Sequence, residues 1–374
     1  MIEFYANVAV SSKTRLVTVT LYNLLVEISN LQNKEHSYLP RNKMASQENS
    51  ILSNVHDALA RLGQHQGDSY IGRGAKLRAI DKPANVPELI GAIDQGTSST
   101  RFLVFENKTG TLIASSQMEI KRITPQEGWV EIDPSSIMLS VYATISNVYD
   151  QLIAHYNLPI GSNFETEFMP NLLSCIGICN QRESTVVWDS KTGQPLYNVI
   201  VWMDNRTKYI VDEMIDLIPG RDFNRFKDKT GLPMSTYFSA FKLKWLIENV
   251  DQVKDALREK RLLFGTVDTW ILWNLTGGKH LTDVTNASRT FLMDIETLEW
   301  DKSLCKHFKV PMDILPQIKA SADDFGSLSS GPFRETPITG VIGDQSAALF
   351  GHNCLQLGQT KATFGKCSGS AIRL

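Results

Sequence analysis

Ile90-Gly-Ala-Ile-Asp-Gln-Gly-Thr-Ser-Ser-Thr-Arg-Phe-Leu-Val-Phe-Glu106 reads as two short strands joined by a hydroxyl-rich turn. Ile90 to Asp94 is apolar up to its final carboxylate, Gln95 to Ser99 is turn chemistry, and Arg101 to Glu106 is a second strand. Asn107 to Gly110 supplies another turn and Thr111 to Met118 a third strand, so the sequence predicts an antiparallel meander. At the first bend Gly96 lets the backbone pass close to a ligand. Thr97, Ser98 and Ser99 offer hydroxyl and N–H groups to anionic oxygens, Arg101 adds a cation, and Asp94 at a strand end can position Mg²⁺ through water. The same segment also fits an ordinary hairpin with an Asp-capped turn. No Gly-x-x-x-x-Gly-Lys-Ser/Thr loop occurs, which excludes a P-loop.

Beyond the meander, Asp133-Pro134 opens a helix: the Asp can accept from free N–H groups, and Pro sits where its missing N–H costs nothing. Ile137, Val141, Ile145, Val148, Tyr149 and Leu152 follow at helical spacing and predict a buried face. Short strands are expected at Ser174 to Cys179, Ser184 to Asp189 and Val199 to Met203, with a polar Asn180-Gln-Arg-Glu183 turn between the first two. Leu243, Leu246, Ile247 and Val250 mark another amphipathic helix. Leu262 to Gly265 then leads into Val267 to Trp273, and Ile338 to Gly343 into Asp344 to Leu349. Strands alternating with helices predict an α/β fold, in which polar residues at strand ends carry the chemistry.

The chain has 374 residues, 42% of them hydrophobic and 21% charged, enough for a large core in two or three domains. Lys plus Arg at 38 against Asp plus Glu at 40 gives a net charge of -2, which steers it toward neither nucleic acid nor anionic membrane. Any phosphate must be met by local features. The five cysteines, Cys175, Cys179, Cys305, Cys354 and Cys367, lack zinc-ribbon or disulfide-framework spacing and read as free thiols in a reducing compartment. No run reaches the roughly 18 apolar residues of a membrane span, and the opening, with Glu3 ahead of its first basic residue, does not read as a signal peptide. Residues 1 to about 86 are polar in texture, with short candidate ordered runs at Leu16 to Ile28 and Ile51 to Leu62, and carry no catalytic assignment.

The Asp94 turn resembles the first phosphate-binding hairpin of the actin-like, ribonuclease H-like sugar and polyol kinases, the FGGY carbohydrate kinases. Tyr237-Phe-Ser-Ala-Phe-Lys-Leu-Lys-Trp-Leu-Ile-Glu-Asn249 resembles their first signature. Ile93 to Arg101, Gly128-Trp-Val-Glu131, Asn180-Gln-Arg-Glu183, Gly265-Thr-Val-Asp-Thr-Trp270, Thr282-Asp-Val-Thr-Asn-Ala-Ser-Arg-Thr290 and Gly343-Asp-Gln-Ser-Ala-Ala-Leu349 are together similar to the glycerol kinases of that family. The motifs run in family order from about residue 89 to 365, and their specificity lies in the set.

The resemblance implies an α/β, actin-like/ribonuclease H-like ATPase fold with the first kinase domain present and the second almost entirely absent. Residues 1–88 would be an extension, 89–353 the glycerol-binding domain, and 354–374 a truncated, divergent start of the adenine-binding domain, where Lys366-Cys367 stands in place of the family's Thr-Gly. It implies Arg182, Glu183, Trp202, Tyr237, Asp344 and Gln345 as polyol-binding residues and Asp344 as base. Thr97, Ser98, Ser99, Arg101 and Gly365 would meet nucleotide phosphates, and Asp94 with Asp344 would hold Mg²⁺. The residue types suit a small polyol: Arg donates, Glu accepts, Tyr does either and Trp covers carbon. Without the resemblance, a surface ion pair at Arg182-Glu183 and core packing at Tyr237 and Trp202 fit equally well.

The expected reaction is transfer of the γ-phosphoryl group of ATP to glycerol, giving sn-glycerol 3-phosphate, with the truncated chain itself inactive. Another polyol or sugar as substrate, or a non-catalytic glycerol-binding or regulatory role, are the alternatives. Glycerol and ATP are the implied partners, with homo-oligomerisation in a full-length form, no nucleic acid and no integral membrane segment. The implied location is cytoplasmic, with association to mitochondria in some members.

Overall fold

A computed structural model describes residues 78–158, 167–169, 171–363 and 369–372. The candidate runs Leu16 to Ile28 and Ile51 to Leu62, and the residues Gly365, Lys366 and Cys367, fall outside these residues. The meander forms as β1 (Leu89–Gln95), β2 (Ser99–Glu106) and β3 (Leu112–Glu119). Helix α1 (Pro134–Tyr156) follows, then β4 (Leu173–Asn180) and β5 (Val186–Asp189). Helix α2 (Ser239–Asn249), β6 (Leu262–Gly265) and α3 (Val267–Thr276) come next. The short β7 (Leu281–Asp283) runs into α4 (Val284–Ala287), and β8 (Ile338–Gly343) into α5 (Asp344–Gly351). Where a strand was expected from Val199 to Met203, only Val199–Ile200 pairs; the chain then turns, which frees Trp202 from any ladder.

The central sheet has five strands in the order β8-β4-β1-β2-β3. Strands β1, β4 and β8 are parallel, and the meander adds β2 and β3 antiparallel to their neighbours. All of β1 is buried because both faces of the sheet are covered. Ile93, Phe102 and Val104 join the large core beneath α1 and α3, while Ala92, Leu103 and Phe105 meet Ala347 of α5 on the opposite face.

Helix α1 starts as expected: Asp133 Oδ1 accepts from Ser135 N at 2.9 Å and Pro134 occupies the first turn. It ends at Asn157, whose left-handed conformation (φ 48°) lets its N–H reach Ile153 O. Ile137, Val141, Ile145, Val148, Tyr149 and Leu152 are all buried, each contributing about 1.5–3 kcal/mol by leaving water. A charge at Val141 would undo that face.

The parallel register brings three strand ends level. Asp94 of β1 lies opposite Cys179 of β4, which lies opposite Ile342 of β8. Two strand spacings, about 10 Å, therefore separate the backbone at Asp94 from the start of α5. Candidate chemistry is gathered along this edge, as the general rule for open parallel sheets leads one to expect.

Candidate functional site

The turn after β1 is held by side chains from the turn after β4. Gln181 N donates to Gln95 O at 2.8 Å, and Gln181 Nε2 reaches Gln95 Oε1 at 3.2 Å and Gly96 O at 3.1 Å. Ser184 Oγ donates to Gln181 Oε1 at 2.8 Å and accepts from Trp202 N at 3.1 Å. The Trp202 indole Nε1 then donates to Thr97 Oγ1 at 2.9 Å, closing the ring of contacts. Thr97 is thus committed to Trp202, Ser99 is buried, and Ser98 is exposed.

Asp94 is buried and accepts from Arg101 Nη1 at 3.2 Å, while Arg101 Nε bonds Gln117 Oε1 at 2.8 Å. Burial pushes the Asp94 carboxyl up, and the Arg101 charge pulls it back in part. A groove of about 800 Å³ runs past this hairpin, lined by Ser98, Ser99, Arg101, Gln117 and Arg122 among others. Arg182, Glu183, Trp202, Tyr237 and Asp344 do not line it.

Those five side chains are linked instead by contacts of their own. Arg182 and Glu183 do not pair with each other: Arg182 Nε lies 3.6 Å from Asp344 Oδ1, and Glu183 Oε1 accepts from Arg289 Nε at 2.6 Å. The Trp202 and Tyr237 rings pack at 5.5 Å, inclined by 55°. Burial pushes the Tyr237 phenol up to about 12, with Glu183 and Asp344 raising it and Arg182 and Arg289 lowering it. Gln345 N donates to Asp344 Oδ1 at 2.7 Å, and Lys361 Nζ comes within 3.5 Å of Gln345 Oε1.

Asp344 opens α5 directly after Gly343. A Cβ on Gly343 would stand 2.2 Å from Arg182 Cδ and 2.5 Å from Cγ, so the arginine crosses β8 through space that only glycine leaves open. Burial pushes Asp344 up to about 6; Glu183 and Asp94 add to the rise and Arg182 opposes it. Its side chain keeps 40% exposure, so solvent screens part of these interactions. Arg182 Nε is buried and makes no hydrogen bond.

A buried polar network fixes the ends of β4, β7 and β8 relative to one another. Asn180 and Asn286 exchange amide hydrogen bonds at 2.9 and 3.0 Å, Asn286 Nδ2 also donates to Asp283 Oδ1, and Thr285 Oγ1 accepts from Gly343 N at 2.8 Å. The quoted stretch from Thr282 to Thr290 supplies most of it.

Arg289, the one cation of that stretch, carries no assignment from the sequence. Nor does Lys242, which is fully buried and donates from Nζ to Thr236 O at 2.8 Å and Tyr237 O at 2.6 Å, bracing the turn that carries Tyr237. Lys242 is four residues after Phe238 and three before Trp245, on the apolar stripe of α2, and a lysine there was the available signal.

Residues 89–351 match the N-terminal domain of the FGGY family of carbohydrate kinases. The chain belongs to that family. Among FGGY relatives, a probable glycerol kinase of Caenorhabditis elegans is 47% identical over 277 residues, covering 74% of this chain and 53% of its own. A glycerol kinase of Saccharopolyspora erythraea is 44% identical over 281 residues, 74% of this chain and 53% of the relative. The crystal structure of Plasmodium falciparum glycerol kinase with ADP superposes with a TM-score of 0.68 at 37% identity, over 76% of this chain and 54% of that one. The fold is the actin-like, ribonuclease H-like architecture of FGGY kinases, and the chain spans about half the length of the curated relatives it matches. Among the described residues no helix is long and apolar enough to cross a membrane.

Proposed function

We propose that this chain is the glycerol-binding half of a glycerol kinase, in which glycerol takes the γ-phosphoryl group of ATP on a terminal hydroxyl. The observation that carries the reading is the linking of Arg182 to Asp344, of Trp202 to Tyr237, and of Glu183 through Arg289 to the Tyr237 ring. Arg182 has an unused donor there. Glu183 Oε2 takes no hydrogen bond from the described residues. Two aromatic faces beside fixed donors and acceptors match a compact polyol, which presents C–H surface and hydroxyls together. Identities of 47% and 44% to glycerol kinases favour glycerol over a longer sugar.

In this reading Arg182 and Glu183 orient the polyol hydroxyls while Trp202 and Tyr237 enclose its carbons. Asp344 accepts the proton of the attacking hydroxyl as the new P–O bond forms and the bond to ADP breaks. A carboxyl near 6 is largely ionised at neutral pH yet basic enough to take that proton, so activity is retained above about pH 6 and lost as pH falls through it. Ser98, Ser99 and Arg101 border the groove past the first hairpin, which suits the phosphate chain.

The metal assigned to Asp94 and Asp344 is compatible with this donor set. Mg²⁺ keeps several waters and needs only one or two carboxylates besides phosphate, and the strand register sets Asp94 two strands from the end of β8, where Asp344 begins α5. It would offset charge on the transferring oxygens.

Calorimetric titration tests the reading: this chain should bind glycerol more tightly than xylulose or gluconate. In a chain of full family length, ATP-dependent formation of glycerol 3-phosphate should follow. Equal or tighter binding of the sugars would reassign the substrate, and no glycerol uptake would remove the polyol site.

A further inference from the structure

Glu183 pairs a left-handed backbone (φ 61°) with a side chain that is 2% exposed. A non-glycine residue in that region is strained, and a buried carboxylate without a cation is costly, so both need support from their surroundings. The neighbouring Arg182 does not supply it, being turned to Asp344. Support comes from a turn 106 residues further on, where Arg289 Nε donates to Glu183 Oε1 at 2.6 Å. The backbone beneath is tied as well, since Ser239 Oγ donates to Glu183 O at 2.9 Å.

The rest of the guanidinium lies over aromatic faces, 5.0 Å from the Phe238 ring centre and 5.9 Å from that of Tyr237. Arg289 therefore contacts the carboxylate and the aromatic wall at once. Only one carboxylate oxygen accepts a hydrogen bond from the described residues, leaving Oε2 with capacity to accept another. A planar guanidinium stacked in this way restricts the angle from which it can donate, and so restricts the rotation of the carboxylate it holds.

We propose that Arg289 is a positioning residue that acts through Glu183, holding the carboxylate turned so that Oε2 stays available to a polyol hydroxyl. This rests on the reading of these residues as a glycerol site. In this role Arg289 acts only through Glu183, so its effect should vanish when Glu183 can no longer respond.

A double-mutant cycle on glycerol affinity, measured by calorimetry on this chain, tests the inference. Arg289→Gln should weaken glycerol binding roughly 10- to 100-fold, with Arg289→Lys losing less because an ammonium still reaches Oε1. In a Glu183→Gln background both changes should cost little more. If Arg289→Gln does not fold, the Arg289→Lys arm of the cycle carries the test: a loss of about threefold alone and none beside Glu183→Gln. Unchanged binding in the Arg289 variants, or losses that add in full to that of Glu183→Gln, would overturn the proposal while leaving the glycerol site standing. Absence of glycerol binding by the unmodified chain would remove the site and this inference together.

Discussion

Arg182 and Arg206 are both arginines beside carboxylates, and they are treated in opposite ways. Arg206 is sealed: its side chain has no exposure, Nη2 lies 2.7 Å from Asp204 Oδ2 and 2.8 Å from Glu131 Oε1, and the guanidinium carbon stands 3.8 Å above Trp129. Its carboxylates are saturated too, since Asp204 accepts from Val130 N at 2.6 Å and Glu131 from Tyr197 and Asn198. Arg182 lies at 3.6 Å from a carboxylate that is 40% exposed and keeps a buried Nε without a hydrogen bond. A buried charge left with unmade bonds is expensive, so where a fold tolerates one, a ligand is the natural partner. Arg206 welds the Trp129 to Glu131 segment to the loop carrying Trp202; Arg182 keeps a donor that no hydrogen bond uses.

The sharpest way to break this contrast is Arg206→Ala. Two buried carboxylates would lose their cation, and urea unfolding should register a loss of about 3–5 kcal/mol. A loss below 1 kcal/mol would mean the sealed cluster is not structural.

Asp344→Asn should do the reverse. In a chain of full family length, transfer to glycerol should fall about 10²- to 10⁴-fold while unfolding stays within about 0.5 kcal/mol of the parent. The acid limb of the rate profile near pH 6 should disappear with it, because the group whose protonation stops proton acceptance is gone. An unchanged acid limb in the variant's residual activity would assign that titration elsewhere.

Gly343→Ala tests how Arg182 is placed. The added methyl meets Arg182 Cδ and Cγ, so overpacking should cost about 1–3 kcal/mol in stability and weaken glycerol binding. Retained affinity would show that the arginine has another route to the site.

The smallest effect is expected for Tyr237→Phe, which removes one hydroxyl and keeps the ring against Trp202. Glycerol affinity should drop by about 0.5–1.5 kcal/mol, with stability nearly constant. If stability falls and affinity does not, the phenol is a packing group.

The meander, α1 and its cap, and the strand-to-helix units ending at Gly265 and Gly343 were legible because each depends on local patterning, turn residues and capping. Val199 to Met203 was less so. Its apolar texture suggested a strand, yet only Val199–Ile200 pairs, because the segment from Trp202 is bound to other partners, including Val130, Ser184 and Thr97. The motif residues were nameable from resemblance, but the use of Thr97 as an acceptor for Trp202 was not, since that contact spans 105 residues. Arg289 and Lys242 escaped notice for the same reason: their partners come from distant segments or from backbone carbonyls.

By itself, the sequence determined the alternation of strands and helices, the burial of α1 and the family, since periodicity, caps and motif order are properties of neighbouring residues. Tertiary structure alone decided which charges pair. Arg182 turns from adjacent Glu183 toward Asp344, and Glu183 takes Arg289 instead, because the parallel register of β1, β4 and β8 and the glycine at 343 set distances that sequence separation does not encode.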